Sequence, residues 1–291
     1  MKKLISFFLL FSISAIAIAQ GKTMESLTIH SKLLGKEVRY SIYLPFDYET
    51  SQRKYPVLYL LHGYSDDETG WAQFGEVQKI TNETIAKGDA TQMIIVMPDA
   101  GVSWYINDAA GKVRYEDFFV NEFIPYIDSI YKTRSKKQYR AVAGLSMGGY
   151  GSFIYAMKHP DLFSACAPLS AAIWNDDHIV TMPDNDWKNY KFNELFGTDL
   201  AGKNRLTETW NKNAVIKLAS TIAVEKLNQV RYYIDCGDDD FLIKGNMELH
   251  SIFTDRKVKH EFRVRDGAHN WPYWRSALPE VLKFVSESFH R

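Results

Sequence analysis

Arg140-Ala141-Val142-Ala143-Gly144-Leu145-Ser146-Met147-Gly148-Gly149-Tyr150 is the stretch from which the rest of this chain can be read. A short apolar run enters a Gly-x-Ser-x-Gly turn, and a helix-compatible segment, Tyr150 to Lys158, leaves it. Chance alone produces such a five-residue pattern often; the strand–turn–helix context makes it a nucleophile elbow. The elbow holds its serine in a strained backbone conformation at a sharp bend. Gly144 and Gly148 then follow from space, because a side chain at either would collide with the neighbouring strand or helix.

Working outward, the chain alternates between strand and helix signals. Leu27 to Ser31 and Val38 to Leu44 alternate in polarity and read as an antiparallel hairpin around Leu34-Gly35-Lys36. Tyr55 to Leu61 and Met93 to Met97 are nearly continuous apolar runs, as strands covered on both faces require. Between them a polar loop, His62 to Asp67, leads to a helix over about Phe74 to Ala86. A second helix is expected from Asp117 to Tyr131, kinked at Pro125. After the elbow, Phe163 to Leu169, Val230 to Gly237 and Phe262 to Val264 read as strands, and Ala277 to Phe289 as a closing amphipathic helix. The segment 174–228 is too long for a plain crossover and reads as an irregular lid or substrate-wall insert. The pattern predicts an α/β fold: a mostly parallel central sheet with helices on both faces and an N-terminal antiparallel hairpin.

The first 19 residues carry a different signal. Met1-Lys2-Lys3, an apolar run from Leu4 to Ile18 and Ala17-Ile18-Ala19 describe a secretory signal peptide cleaved before Gln20. The run is short for a spanning helix, and no cysteine near the cleavage site offers a lipid anchor. The mature protein is therefore expected to be soluble, and secreted or periplasmic. Residues 20–291 suffice for one α/β domain with a buried core. Lysine plus arginine (35) balance aspartate plus glutamate (35), which points to neither nucleic acid nor an anionic membrane as partner. Two cysteines, Cys166 and Cys236, are too few for a disulfide framework and read as buried thiols.

A serine hydroxyl is barely ionised at neutral pH, so Ser146 needs a base and the base needs an orienting acid. Of the histidines downstream, only His269 lies in a polar loop, Asp266-Gly267-Ala268-His269-Asn270, between a strand and the last helix. His159, His178, His250, His260 and His290 read as packed or solvated. The acid is expected after the strand ending at Gly237, where Asp238, Asp239 and Asp240 compete; spacing does not choose among them. For the oxyanion hole the candidates are the backbone N–H groups of Met147 and of Tyr64, which follows His62-Gly63. His62 precedes the serine and reads as a loop-shaping residue. Trp104 and Tyr105, with Trp271, Tyr273 and Trp274 beside the base, form a candidate aryl or sugar platform for substrate.

Four segments, Leu61-His62-Gly63, Gly144 to Tyr150, Gly237-Asp238-Asp239-Asp240-Phe241-Leu242 and Gly267-Ala268-His269-Asn270-Trp271, resemble the esterase D family of α/β hydrolases, over about Leu27 to Phe289. The resemblance implies the α/β-hydrolase fold, Ser146 as nucleophile, His269 as base and, three residues after the glycine, Asp240 as acid. It further implies a carboxylic-ester hydrolase working through an acyl-enzyme, with no metal or organic cofactor. That family includes feruloyl and acetyl esterases of plant polysaccharide, S-formylglutathione hydrolases and secreted mycolyltransferases. Export argues against a cytosolic glutathione thioester, so a feruloyl or acetyl ester, free or on an oligosaccharide, is the expected substrate. Two alternatives stand beside it: an acyltransferase using a sugar hydroxyl as acceptor, and a non-catalytic carbohydrate-binding protein on a hydrolase scaffold.

Overall fold

The computed structural model describes residues 20–290; the expected signal peptide lies outside them. Eight strands form one sheet: β1 (Lys22–Ser31), β2 (Lys36–Leu44), β3 (Val57–Leu61), β4 (Ile94–Pro98), β5 (Arg140–Leu145), β6 (Ala165–Leu169), β7 (Arg231–Gly237) and β8 (His260–Arg265). Their spatial order is β1-β2-β4-β3-β5-β6-β7-β8. The β1–β2 and β2–β4 pairs are antiparallel and every later pair is parallel, as the alternation of strand and helix signals requires.

The apolar runs are explained by the two faces of this sheet. Along β3, Val57, Tyr59 and Leu61 point into the core shared with the elbow helix Met147–Lys158. Leu58 and Leu60 point the other way, into a core shared with the helix Val77–Ala86 and the C-terminal helix Trp271–Phe289. With both faces covered there is no solvent side to favour polar residues. Each fully buried leucine contributes about 1.5–3 kcal/mol to stability before the entropy of ordering is counted.

Three expectations change. The helix around Pro125 is not one continuous α-helix: a π-helical turn, Phe119–Phe123, stands before Ile124–Ile130, and Ile124 N–H reaches back to Phe119 O. The wider turn removes the usual clash between the proline ring and the carbonyl four residues earlier. The C-terminal helix begins at Trp271, not Ala277, because Asn270 caps it by accepting Tyr273 N–H at 3.1 Å and Pro272 suits the first turn. Segment 174–228 is not irregular but a chain of short helices, among them Asp176–Thr181, Asp184–Asn189, Phe192–Phe196, Glu208–Asn213 and Val215–Thr221. They close on a buried aromatic cluster that includes Trp174, Trp187, Phe192, Phe196 and Trp210. Helices of two turns or fewer show no apolar periodicity in sequence, which is why the segment looks structureless there. Cys166 and Cys236 are both buried and free.

Candidate active site

The parallel strands β3, β5, β7 and β8 all point their C-terminal ends the same way, so their following loops meet at one edge of the sheet. Those loops carry Gly63-Tyr64, Ser146, Asp240 and His269. Ser146 sits at the bend between β5 and the elbow helix with φ 55° and ψ −115°, outside the regions an L-residue prefers. The glycines flanking it are there for space. A Cβ at Gly144 would stand 2.6 Å from Gly148 O, and one at Gly148 would stand 2.6 Å from His62 O.

Ser146, His269 and Asp240 form one hydrogen-bonded run. Asp240 Oδ2 lies 2.8 Å from His269 Nδ1, and His269 Nε2 lies 3.0 Å from Ser146 Oγ. A carboxylate only accepts, so Nδ1 carries the proton and Nε2 is left to accept from the serine hydroxyl. The competition among the three aspartates is decided by burial: Asp240 is 2% exposed, whereas Asp238 and Asp239 are exposed at the surface. Burial would push the Asp240 carboxyl up. The hydrogen bond and charge of His269, the Leu242 N–H at 2.8 Å and the Ser170 hydroxyl outweigh it and hold the carboxyl below its ordinary value. The imidazole is packed between Phe241 (ring centroids 4.6 Å) and Trp274 (4.9 Å, nearly perpendicular).

Beneath this run, a second carboxylate ties the acid loop to the base loop. Asp235 on β7 is fully buried and accepts from Tyr273 Oη (2.5 Å), Tyr233 Oη (2.8 Å) and Arg265 Nη2 (2.9 and 3.1 Å). Arg265 ends β8 just before the His269 loop, and Tyr273 is in the first turn after it. The two loops also touch directly, with Asp239 N–H donating to Gly267 O at 3.0 Å.

Met147 is the first residue of its helix, so its N–H has no intrahelical acceptor. Among the described residues the Tyr64 N–H likewise donates to no protein acceptor. His62 shapes the loop that presents it. Its Nε2 accepts Ala100 N–H at 2.9 Å, which leaves the proton on Nδ1, donated to Gly63 O at 2.8 Å. Burial pushes the His62 imidazole below its ordinary value, against the weaker pull of the Gly63 carbonyl and of Asp99, and the Ala100 N–H at Nε2 fits the neutral ring. The other histidines lie elsewhere: His159 pairs with Glu116 (2.8 Å), His250 with His260 (2.7 Å), and His178 packs on Trp174.

A cleft of about 330 Å³ opens beside Ser146, lined by Gly63, Tyr64, Ser65, Asp66, Phe74, Leu145, Ser146, His269, Trp271 and Trp274. Trp271 is therefore on the wall, as expected, packed against Trp71 (5.3 Å) and Phe74 (6.1 Å). Trp104 and Tyr105 are not. Both are buried with positive φ and lie under the cleft. Trp104 packs on Tyr64, Trp174 and Phe192 and donates from Nε1 to Tyr190 O at 2.9 Å, while Tyr105 Oη donates to His62 O at 2.9 Å. They support the walls rather than offering an aromatic platform. Nor does Tyr273, which is committed to Asp235. Sequence reasoning did not single out Phe74, 53% exposed at the cleft mouth, or Asp66. Phe74 opens an expected helix and Asp66 sits in an acidic run, and neither pattern marks a wall residue.

A strained serine on a strand–helix bend, hydrogen-bonded to a histidine that a buried carboxylate orients, on a mostly parallel sheet with an antiparallel hairpin, places the chain among esterases of the α/β-hydrolase fold. The comparisons with known proteins agree. The family model described as "Putative esterase" matches residues 31–285, and the chain belongs to that family. A solved ferulic acid esterase is 36% identical and superposes with a TM-score of 0.79, covering 93% of this chain and 99% of that one. An acetyl esterase of Caldicellulosiruptor saccharolyticus is 23% identical over 90% of this chain and 97% of its own length. An endo-1,4-beta-xylanase/feruloyl esterase of Xylanibacter ruminicola is 32% identical over 54% of this chain; the match spans only 22% of that longer protein. The chain is a carboxylic-ester hydrolase. Among its described residues no helix is long and apolar enough to cross a membrane.

Proposed function

We propose that this chain is an exported serine esterase that removes feruloyl or acetyl groups from plant polysaccharide through an acyl-enzyme. The observation that carries the reading is the run Ser146–His269–Asp240 opening onto a cleft walled by Phe74 and Trp271. Ser146 Oγ attacks the ester carbonyl as its proton passes to His269 Nε2, and Asp240 holds the other ring nitrogen protonated and stabilises the imidazolium. The Met147 and Tyr64 N–H groups receive the oxyanion. Collapse of the tetrahedral species expels the sugar alkoxide, which takes the proton from Nε2 and leaves as the alcohol. Water, deprotonated by the same nitrogen, then frees the acid and restores the serine.

The insert 174–228 serves in this reading as a buttress behind the oxyanion loop. Tyr64 Oη donates to Asn189 O, and the Tyr64 ring packs on Trp104 and Tyr190, so the oxyanion loop is anchored to the insert. Export rests on the sequence of residues 1–19; sequencing of the exported protein is expected to begin at Gln20, and retention of the full-length chain in the cytoplasm would overturn it.

The enzyme reading is tested by labelling with a fluorophosphonate, which reacts only with an activated serine. Label is expected on the wild type and lost in Ser146→Ala, with turnover reduced on the order of a million-fold by analogy with subtilisin. A folded wild type that takes no label would refute it. Substrate class is read from methyl ferulate and acetylated xylooligosaccharide, with products analysed in the presence of a sugar acceptor.

A further inference from the structure

The cleft beside Ser146 has an acidic residue in its wall that the steps above do not use. Asp66 lies two residues beyond Tyr64 on the same loop, and Phe74 stands at the end of the short helix Gly70–Gln73 that follows it. One oxygen of Asp66, Oδ1, accepts Asp67 N–H at 3.1 Å. Oδ2 has no protein donor among the described residues, and neither lysine nor arginine acts on the carboxylate; His62 and Asp67 are the titratable groups that do. Burial raises the Asp66 carboxyl from its ordinary value, a sign that water only partly covers it.

Gly70 explains how the carboxylate keeps this orientation. A Cβ on Gly70 would overlap both Asp66 oxygens, so only glycine there leaves room for the group. The Gly70 backbone has no positive φ, so conformation does not demand a glycine; space does.

A partly buried carboxylate oxygen without a protein donor is an acceptor that a ligand hydroxyl can take over from water. An acetyl group brings none. A cinnamoyl group suits the aromatic walls at Phe74 and Trp271, and about 330 Å³ accommodates an aryl acyl chain but not an oligosaccharide. The donor that such an acyl group can present at its far end is a ring hydroxyl.

We propose that Asp66 is the specificity-determining acceptor for the para-hydroxyl of a 4-hydroxycinnamoyl acyl group bound in this cleft with its ester carbonyl at Ser146. The assignment rests on the esterase reading above and narrows its acyl group to a hydroxylated aryl one.

The test compares kcat/KM of the full-length mature enzyme on methyl 4-hydroxycinnamate and methyl 4-methoxycinnamate. The two esters have similar electronics and differ in the donor; methyl cinnamate controls for the bulk of the methoxy group. Wild type is expected to prefer the hydroxyl ester about ten-fold or more, the range for a hydrogen bond to a charged group. In Asp66→Ala, which leaves no side-chain acceptor, the ratio is expected to fall to within about two-fold of unity. Gly70→Ala, which displaces the carboxylate without removing it, is expected to lower the ratio as well. Each ratio is taken within one protein, so partial loss of folded enzyme cancels. A wild-type ratio near one, or a high ratio that Asp66→Ala leaves unchanged, overturns the Asp66 assignment while the esterase reading stands. Turnover of 4-nitrophenyl acetate with none on any cinnamate overturns the aryl acyl group itself, and this assignment with it.

Discussion

Asp240→Asn isolates what the buried carboxylate contributes. In the wild type Oδ2 accepts from His269 Nδ1 and Oδ1 accepts from Leu242 N–H, both at 2.8 Å. Asparagine can satisfy one of those donors but not both. If its oxygen stays on Leu242, its NH₂ faces Nδ1; the imidazole must then carry its proton on Nε2, where it cannot take one from Ser146. If the amide flips, two donors face each other at Leu242, a buried mismatch of about 1–3 kcal/mol. Even the flipped form presents a dipole instead of a charge to the imidazolium; removing one partner of a buried pair costs about 3–5 kcal/mol. Together these come to about 4–8 kcal/mol, or roughly 10³- to 10⁶-fold in kcat. The corresponding change in a serine protease, about 10⁴-fold, falls in that span. The assay is kcat on 4-nitrophenyl acetate at neutral pH, with circular dichroism to establish that the variant is folded. Asp239→Asn, on an exposed carboxylate next door, is the control and is expected to stay within about two-fold. A folded Asp240→Asn enzyme within ten-fold of wild type would refute the assignment of Asp240 as the orienting acid.

Two further outcomes follow from the buried groups around the site. Asp235→Ala strands Tyr233, Tyr273 and Arg265 without their acceptor and should lower the unfolding free energy by about 3–5 kcal/mol in denaturant titration; a loss under 1 kcal/mol would contradict a structural role for the cluster. His62 is held neutral in the fold, with its value depressed by burial, so the unfolded chain takes up the proton first as pH falls. Its contribution is therefore constant well above about pH 6.5 and turns against folding below that. Replacing it with asparagine should flatten the slope of stability against pH below 6.5 by up to about 1.4 kcal/mol per pH unit, and an unaltered slope would show that the imidazole does not titrate with unfolding.

The bend that carries Ser146, the loop that brings His269 to it and the α/β alternation were legible in the chain itself. Each depends on local physics: the glycine spacing demanded by a tight bend at Gly144 and Gly148, apolar runs wherever a strand is covered on both faces, and a polar loop between β8 and the last helix. His62 shapes its loop through a near neighbour as well, with one ring nitrogen on Gly63 O, while the other takes Ala100 N–H. Other features were not local. Asp238, Asp239 and Asp240 are alike as sequence, and only the way the turn after β7 meets the His269 loop buries the third and leaves the first two in water. Trp104 and Tyr105 read as well for a platform as for a core. It took positive φ at both, and the aromatic cluster of the insert closing over Trp104, to turn them inward. The cleft wall was decided the same way, since Phe74 and Asp66 reach Ser146 only after β3 and β5 pair side by side. What the sequence by itself determined was the bend at Ser146 and the strand and helix pattern around it, because bends, caps and strand patterns are set by near neighbours in the chain. What tertiary structure decided was which carboxylate meets His269 and which side chains line the cleft beside Ser146, because burial is a property of contacts between residues far apart in the chain.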